Sequence, residues 1–206
     1  MKHMENTVNN NGYDYVDLGL PSGTLWATCN VGASSPSDFG LYFQWGDIKG
    51  YPKEQVGKDK QFNCDEYKFS IDGSNTNFSK YIKEGTILEL EDDAARSNMG
   101  GNWHMPSPKQ IQELIDNTTS TWEEMDGVKG RLFTSKSDTS KSIFIPAAGF
   151  AYDGIVFSGG RYGHVWSSVL SAYHIGYGQY LYICPGYASL DDYHRSFGFS
   201  VRGVIG

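Results

Sequence analysis

Five histidines and one acidic run are the residues of this chain that could bind a metal ion or transfer a proton. The histidines show neither the H-x-x-x-H nor the H-E-x-x-H spacing that places two zinc ligands on one helix face, although His174 and His194 could still converge in the folded chain. The acidic run at 89–93 lacks the alternating ligand spacing of a calcium loop. Such a run is typical of a solvated face at the start of a helix. We therefore expect neither a metal site nor a cofactor.

Three cysteines are the candidates for redox or covalent chemistry. Cys29, Cys64 and Cys184 form no C-x-x-C pair and are too few for a disulfide framework, so we expect small, buried or incidental thiols. The chain also has no G-x-S-x-G turn that would hold a serine nucleophile. Because these catalytic patterns are absent from the sequence, we predict that the protein is not an enzyme.

The composition excludes several classes of protein. The chain has 206 residues, of which 39% are apolar, 20% charged and 15% aromatic, so a disordered chain and a charged coiled coil are ruled out. It contains no apolar run of 18 residues, which predicts no membrane insertion. A formal charge of −7 argues against a nucleic-acid partner, because phosphate binding needs a basic patch. The N-terminus lacks the apolar stretch of a secretory signal peptide.

The elements that position these residues predict an α+β fold in one domain. We expect a flexible polar segment at 1–12 and a single domain at 13–206, with a long surface excursion at 46–81. Helical character is expected at 88–99, where it stops at a Gly-Gly pair. A capping box at Ser107 predicts a second short helix, which ends near Asn117.

After the second helix the pattern changes to period two, which indicates several short strands of a multi-stranded antiparallel sheet. Within one of these strands, Leu181 and Ile183 fall on one face, and Tyr180 and Tyr182 fall on the other. If the aliphatic face is buried, both tyrosines belong to an exposed aromatic platform.

The composition of the chain changes abruptly at residue 151. Residues 151–206 contain no Lys, Glu, Met, Asn or Thr, whereas residues 1–150 contain 12, 9, 5, 11 and 10 of them. The same tail holds 8 of the 14 tyrosines and 3 of the 5 histidines. Sheet propensity favours Tyr and Phe over Lys and Glu, but it does not explain the missing Thr. A mixture rich in Tyr, Ser, Gly, Asp and His is typical of a binding loop.

Six ordered motifs carry a resemblance to a known family. They are YVDLGLPSGTLWATCNVGA at 15–33, WGD at 45–47, DDAA and MGGNWHMPS within 92–107, SIFIPAAGF at 142–150, WSS at 166–168 and GFSVR at 198–202. In these motifs the chain resembles the Fibrobacter succinogenes major paralogous domain, which is abundant in gut Bacteroidetes. The resemblance implies a C-type-lectin-like fold, in the branch shared with formylglycine-generating enzymes.

Members with an aromatic, glycine-rich C-terminal end are often variable proteins of diversity-generating retroelements. In these systems, bases opposite template adenines are randomised, and a randomised Asn codon cannot become Lys, Glu, Met, Gln or Trp. The missing Lys, Glu and Met of the tail agree with that mechanism. The resemblance thus divides the domain into a scaffold at 13–150 and a variable, ligand-binding region at 151–206.

The resemblance also separates invariant from variable positions in the tail. Matches to the invariant part are Gly163, Trp166, Ser167, Ser168, Leu181, Gly198, Phe199, Ser200, Val201 and Arg202. The candidate ligand-binding positions are Tyr152, Asp153, Ile155, Phe157, Tyr162, His164, Tyr173, His174, Tyr177, Tyr180, Tyr182, Tyr187, Asp191, Tyr193, His194 and Phe197.

The large framework side chains have a structural interpretation. We expect Trp26, Trp45, Trp103 and Trp166 in the core, whereas Trp122 could lie in the core or on a surface. Arg202 is expected to hold a buried polar partner.

The combined prediction is a binding protein without cofactor, whose partner is a protein or glycan receptor on a target cell. Its expected location is a phage tail or a cell surface, as a receptor-binding or tail-fibre component. A fixed glycan-binding or adhesion domain of a gut bacterium is the main alternative. A formylglycine-generating-type oxidase is the weaker one, because only Cys184 lies in the C-terminal half, where such enzymes need a cysteine pair.

Overall fold

The computed structural model describes residues 8–206. These residues form an α+β fold with open antiparallel sheets. The segment at 1–12 was expected to be flexible, and its residues 1–7 lie outside the described residues. In the rest of that segment, Val8–Asn10 forms a strand. The α-helices are α1 (Ala94–Met99) and α2 (Pro108–Asn117). The strands are β1 (Val8–Asn10), β2 (Tyr13–Asp17), β3 (Leu25–Asn30), β4 (Thr118–Met125), β5 (Val128–Ser135), β6 (Ser142–Pro146), β7 (Phe150–Tyr152), β8 (Ile155–Phe157), β9 (Gly163–Leu170), β10 (Tyr177–Ile183), β11 (Ala188–His194) and β12 (Arg202–Ile205).

The strands form three sheets and one separate hairpin within residues 8–206. The order β1-β2-β3-β12 joins the beginning of the described chain to its end, and β11-β10-β9 and β4-β5-β6 form two further sheets. Strands β7 and β8 form a two-stranded hairpin, and Ala151 of β7 also forms an isolated bridge with Gly198. All of these pairs are antiparallel. This order places the last strand of the tail, β12, beside β3 of the scaffold.

Both helices begin at side-chain caps. The predicted capping box is confirmed: the Ser107 hydroxyl accepts from the Gln110 amide, and the Gln110 side chain accepts from the Ser107 amide. Helix α1 is capped by Asp93 and ends before Gly100, whose φ is +69°. The expected helix at 88–99 is therefore shorter than predicted, because Leu90–Asp92 forms a separate 3-10 turn. Neither α-helix of the described residues is long and apolar enough to cross a bilayer.

The tryptophans and Arg202 confirm their predicted places. Trp26, Trp45, Trp103 and Trp166 are fully buried, while Trp122 on β4 is half-buried against the core. The Arg202 guanidinium is also fully buried. It donates to the Asn30 side chain and to the carbonyls of Ala27 and Phe144 at 2.9–3.0 Å.

The expected surface excursion at 46–81 is wrong. Five of its aromatic side chains are buried, and they belong to the hydrophobic core: Phe62, Tyr67, Phe69, Phe78 and Tyr81. Arg195 of the tail contacts this segment from the core side. Its guanidinium is buried, lies 3.8 Å from the centre of the Phe78 ring and donates to the carbonyls of Lys80 and Tyr81. In the sequence the segment mixes Gly, Lys, Asp and Asn with scattered aromatic residues. Because these aromatic residues follow no helix or strand period, the sequence pattern does not reveal that they are buried.

Candidate functional site

The hairpin β7–β8 carries the candidates Tyr152, Ile155 and Phe157 on its strands and Asp153 in its turn. Phe150 pairs with Phe157, and Tyr152 pairs with Ile155, so these four side chains share one face. The opposite face carries Ala151, which is buried against the scaffold. Because the strands alternate in this way, the large side chains lie on the face opposite Ala151, where Phe150 is half-buried and Tyr152, Ile155 and Phe157 are exposed.

The turn of this hairpin consists of Asp153 and Gly154. Their φ angles of +47° and +77° are those of a two-residue turn with both central residues in the left-handed region, which Asn-Gly and Asp-Gly favour. The Gly154 amide donates to the Gln61 carbonyl at 2.8 Å. The hairpin is therefore anchored to the scaffold segment that contains Gln61.

Phe197 connects the hairpin to the β9–β10–β11 sheet. Its ring is stacked on Tyr152, with centroids 4.2 Å apart and planes 20° apart. The same ring lies 5.8 Å from Phe150, 5.1 Å from Tyr193 and 5.8 Å from His194. Residues separated by more than forty positions thus meet at one ring.

Two further groups of rings extend the contacts in opposite directions. At one end, Tyr182 lies 5.8 Å from both Tyr162 and Tyr187. At the other end, Tyr177 lies 4.6 Å from His174, 5.1 Å from His194 and 6.2 Å from Tyr193.

The rings around Phe197 and Tyr177 and the rings around Tyr182 are two groups, joined through the buried His164 ring, which lies 5.3 Å from Phe150 and 5.5 Å from Tyr182. Together we call the two groups the aromatic surface. Its members are half-buried or exposed. They are Phe150, Tyr152, Phe157, Tyr162, His174, Tyr177, Tyr182, Tyr187, Tyr193, His194 and Phe197.

Two predicted surface residues, His164 and Tyr180, are buried beneath the aromatic surface instead. Tyr180 is 4% exposed and His164 is 7% exposed. Phe199 covers both, with its ring centre 4.9 Å from that of Tyr180 and 4.8 Å from that of His164. The expectation of an exposed platform is therefore wrong for Tyr180. The alternation itself holds, since Leu181 and Ile183 lie in the core on the opposite face.

Burial also determines the protonation of the side chains in and below this surface. Desolvation lowers the pKa of His164 to about 4, and its Nδ1 lies 3.2 Å from the Gly149 carbonyl oxygen. Burial raises the pKa of Tyr180 well above its usual range and that of Tyr182 to about 12. At neutral pH these side chains are uncharged.

The remaining candidates lie outside the connected rings. Ile155 is exposed on the hairpin face, and Asp191 is exposed on β11, where it accepts from the Asp192 amide. Tyr173 is 89% exposed and has no ring contact within the described part of the chain. Asp153 lies in a groove at the border of the aromatic surface, together with scaffold residues.

Sequence reasoning missed Phe150 and the scaffold side of this groove. Phe150 belongs to a motif assigned to the framework, although its ring contacts four other aromatic side chains. The Phe-Ala-Tyr alternation at 150–152 is a signal that could have identified it. The groove includes Asn63 and Asp65, and no local pattern connects them with the tail.

Two lysines form ion pairs with the carboxylates of the acidic run. Glu89, Glu91 and Asp92 offer carboxylate oxygens within 4.8 Å of one another. The Lys80 ammonium lies 2.6, 3.1 and 2.7 Å from these three side chains, and Lys68 also pairs with Asp92. A cation is thus already present at the centre of the cluster.

The other chemistry-bearing residues are dispersed. His174 and His194 both contact Tyr177, as the sequence allowed, but among residues 8–206 no third ligand joins them. The cysteines are free thiols. Cys64 donates to the Ser196 hydroxyl, and Cys184 to the Tyr187 carbonyl.

Comparison of the chain with protein-family models, curated proteins and solved structures finds no match. The functional inference therefore depends on the geometry described above.

Proposed function

We propose that this protein is a non-enzymatic binding module, whose aromatic surface recognises a receptor on a target cell. The observation that carries the proposal is the aromatic surface itself, which rings from separate segments of the chain form above a shared buried layer. Tyrosine offers a large contact area together with a hydroxyl for hydrogen bonding, and aromatic anchors dominate binding energies at interfaces. Binding of this kind needs neither a cofactor nor covalent chemistry.

The proposal includes a C-type-lectin-like fold and diversification by a retroelement. It is supported by a two-layer arrangement of the tail. Trp166 and Phe199, which match invariant positions of the family, are buried and stacked with centroids 4.0 Å apart. Most of the candidate variable side chains lie above them. Exchanging the upper layer leaves the lower one in place, and this is what a diversified protein requires.

In this proposal the recognition chemistry is apolar burial with neutral hydrogen bonding. The aromatic surface contributes apolar ring faces, while the Tyr hydroxyls donate and accept at the edge of the contact. The protein would act as a receptor-binding or tail-fibre component of a phage, or on a bacterial cell surface.

Sequencing of the gene across its source population tests diversification. We expect substitutions at the codons of exposed rings such as Tyr152, Tyr187 and Tyr193, and a nearby template repeat with adenines at those codons. The codons of Trp166 and Phe199 should stay constant and serve as the internal control. A uniform tail without a template repeat would overturn the diversification.

A fixed glycan-binding or adhesion domain is the second candidate. It is favoured by the exposure of Tyr152 and Tyr187, which are 37% and 57% exposed, because aromatic rings also stack on sugars. Glycan-array binding that Tyr187→Ala abolishes and Tyr173→Ala retains, combined with a uniform gene, would support this candidate over the first.

A further inference from the structure

A groove of about 330 Å³ lies where the aromatic surface meets the scaffold. Its volume is at the lower end of the range for ligand sites and suits one side chain. Its walls include Asn63 and Asp65 from the scaffold, and Tyr152, Asp153, His194 and Phe197 from the tail.

The groove is acidic and has no internal counter-charge. No lysine or arginine of the described residues lines it. Asp153 accepts one hydrogen bond, from the Asn63 side-chain amide at 3.2 Å. The Asp65 carboxylate is exposed and has no hydrogen bond or ion pair within residues 8–206. These carboxylates differ from the acidic run at 89–93, where lysines complete the pairing.

His194 does not neutralise these carboxylates at pH 7. Burial, followed by the nearby His174, lowers the pKa of its imidazole below the usual value. The ring is therefore neutral and adds an aromatic face to the groove, 5.8 Å from Phe197 and nearly parallel to it, at 23°.

One buried side chain holds both walls of the groove. Gln44 is 1% exposed, and its Nε2 donates to the carbonyl of Asn63 at 3.0 Å and to that of Ser196 at 2.6 Å. Gln44 thus fixes the scaffold wall relative to the tail wall. Because Gln44 lies outside the tail, variation of the tail leaves this connection in place.

We propose that this groove binds the guanidinium of an arginine side chain from a protein partner. A guanidinium is planar, stacks on aromatic faces and donates to carboxylates with several N–H groups. Tyr152 and Phe197 supply stacked rings, and Asp65 and Asp153 supply the carboxylates. A lysine ammonium satisfies the charge but does not stack, so arginine is preferred. The inference rests on the proposed function only in taking the partner to be a protein receptor.

The test titrates the full chain with N-acetyl-arginine methylamide and follows backbone amide signals by NMR. The matched probe is N-acetyl-citrulline methylamide, which has nearly the same shape but no charge. We expect saturable shifts confined to the groove with the arginine probe, and at least about fivefold weaker binding of the citrulline probe, as loss of one charged hydrogen bond predicts.

Variants locate the binding site. Asp65→Asn and Asp153→Asn should each weaken arginine binding about three- to tenfold. Asn suits the left-handed turn position at 153, and melting curves verify that both variants fold. Glu124→Gln is the matched control, because it removes one exposed carboxylate of β4 outside the groove and should leave the affinity unchanged.

Equal binding of the two probes, or equal weakening by Glu124→Gln, would overturn the groove proposal. So would shifts that spread over the whole aromatic surface. These outcomes are independent of the population sequencing, so a uniform gene with intact arginine binding would remove diversification and keep the groove. A varied gene without arginine binding would support diversification and overturn the groove proposal.

Discussion

Replacing Tyr180 with alanine distinguishes the buried layer from the aromatic surface above it. The Tyr180 ring is 4% exposed and contacts the rings of Trp166 and Phe199. A buried aromatic side chain removes about 150–250 Å² from water, which at about 25 cal/mol per Å² corresponds to roughly 4–6 kcal/mol. Aromatic-to-alanine substitutions in cores cost about 3–5 kcal/mol. We therefore expect Tyr180→Ala to lower the free energy of unfolding by about 4 kcal/mol.

Tyr182→Ala is the matched comparison on the same face of the same strand. Its ring is only half-buried, and we expect a loss of about 1 kcal/mol, as for an average surface-proximal substitution. For a domain of this size, 1 kcal/mol lowers the melting temperature by about 2–4 °C. Tyr180→Ala should thus lower it by roughly 8–16 °C, and Tyr182→Ala by about 2–4 °C.

The assay is thermal unfolding by circular dichroism, with urea titrations to check that the m-value is unchanged. Tyr180→Phe serves as the control, because the Tyr180 hydroxyl makes no hydrogen bond within residues 8–206. That variant should stay within about 1 kcal/mol of the parent protein. Equal losses for Tyr180→Ala and Tyr182→Ala would refute the assignment of Tyr180 to a buried layer.

Three further changes test other parts of the fold, each by urea unfolding. Arg195→Met leaves buried carbonyls without a donor and should cost about 4 kcal/mol; a loss below about 1 kcal/mol would show that the 46–81 segment does not depend on it. His164 has a pKa lowered by burial to about 4, so the unfolded chain binds the proton first and stability falls as the pH decreases from about 6.5 to 4. His164→Phe should remove about 3 kcal/mol of that fall, and parallel pH profiles would contradict this. Ser107→Ala should cost about 1 kcal/mol through loss of the helix cap, and an unchanged midpoint would show that the cap is dispensable.

Local signals predicted the parts of the fold that local physics determines. The capping box at Ser107 starts α2 as expected, because cap and helix are neighbours in the chain. The alternation at 180–183 assigned the correct faces, since a strand turns its side chains by a fixed period. Burial of the four framework tryptophans was predictable because each large side chain removes much apolar area from water when it is buried.

Predictions failed where the deciding partner is distant in sequence. Alternation shows that Tyr180 and Leu181 face opposite ways, but only the fold shows that Phe199 covers Tyr180. The 46–81 segment was expected on the surface because its aromatic residues have no period. In the fold they pack in the core beside Arg195, which lies more than one hundred residues later and donates to the carbonyls of Lys80 and Tyr81. The groove was missed for the same reason, since Gln44 joins walls from two distant parts of the chain.

The ring contacts of the aromatic surface also affect the entropy of any association that uses it. Tyr152 is already stacked on Phe197, and Tyr177 is already held between His174 and His194. Ordering a mobile side chain on binding costs about 0.5–1.5 kcal/mol. Rings that restrict one another before the partner arrives have largely lost this freedom during folding. A partner that binds here would therefore find a surface with few rotamers left to immobilise, so more of the contact energy remains as affinity.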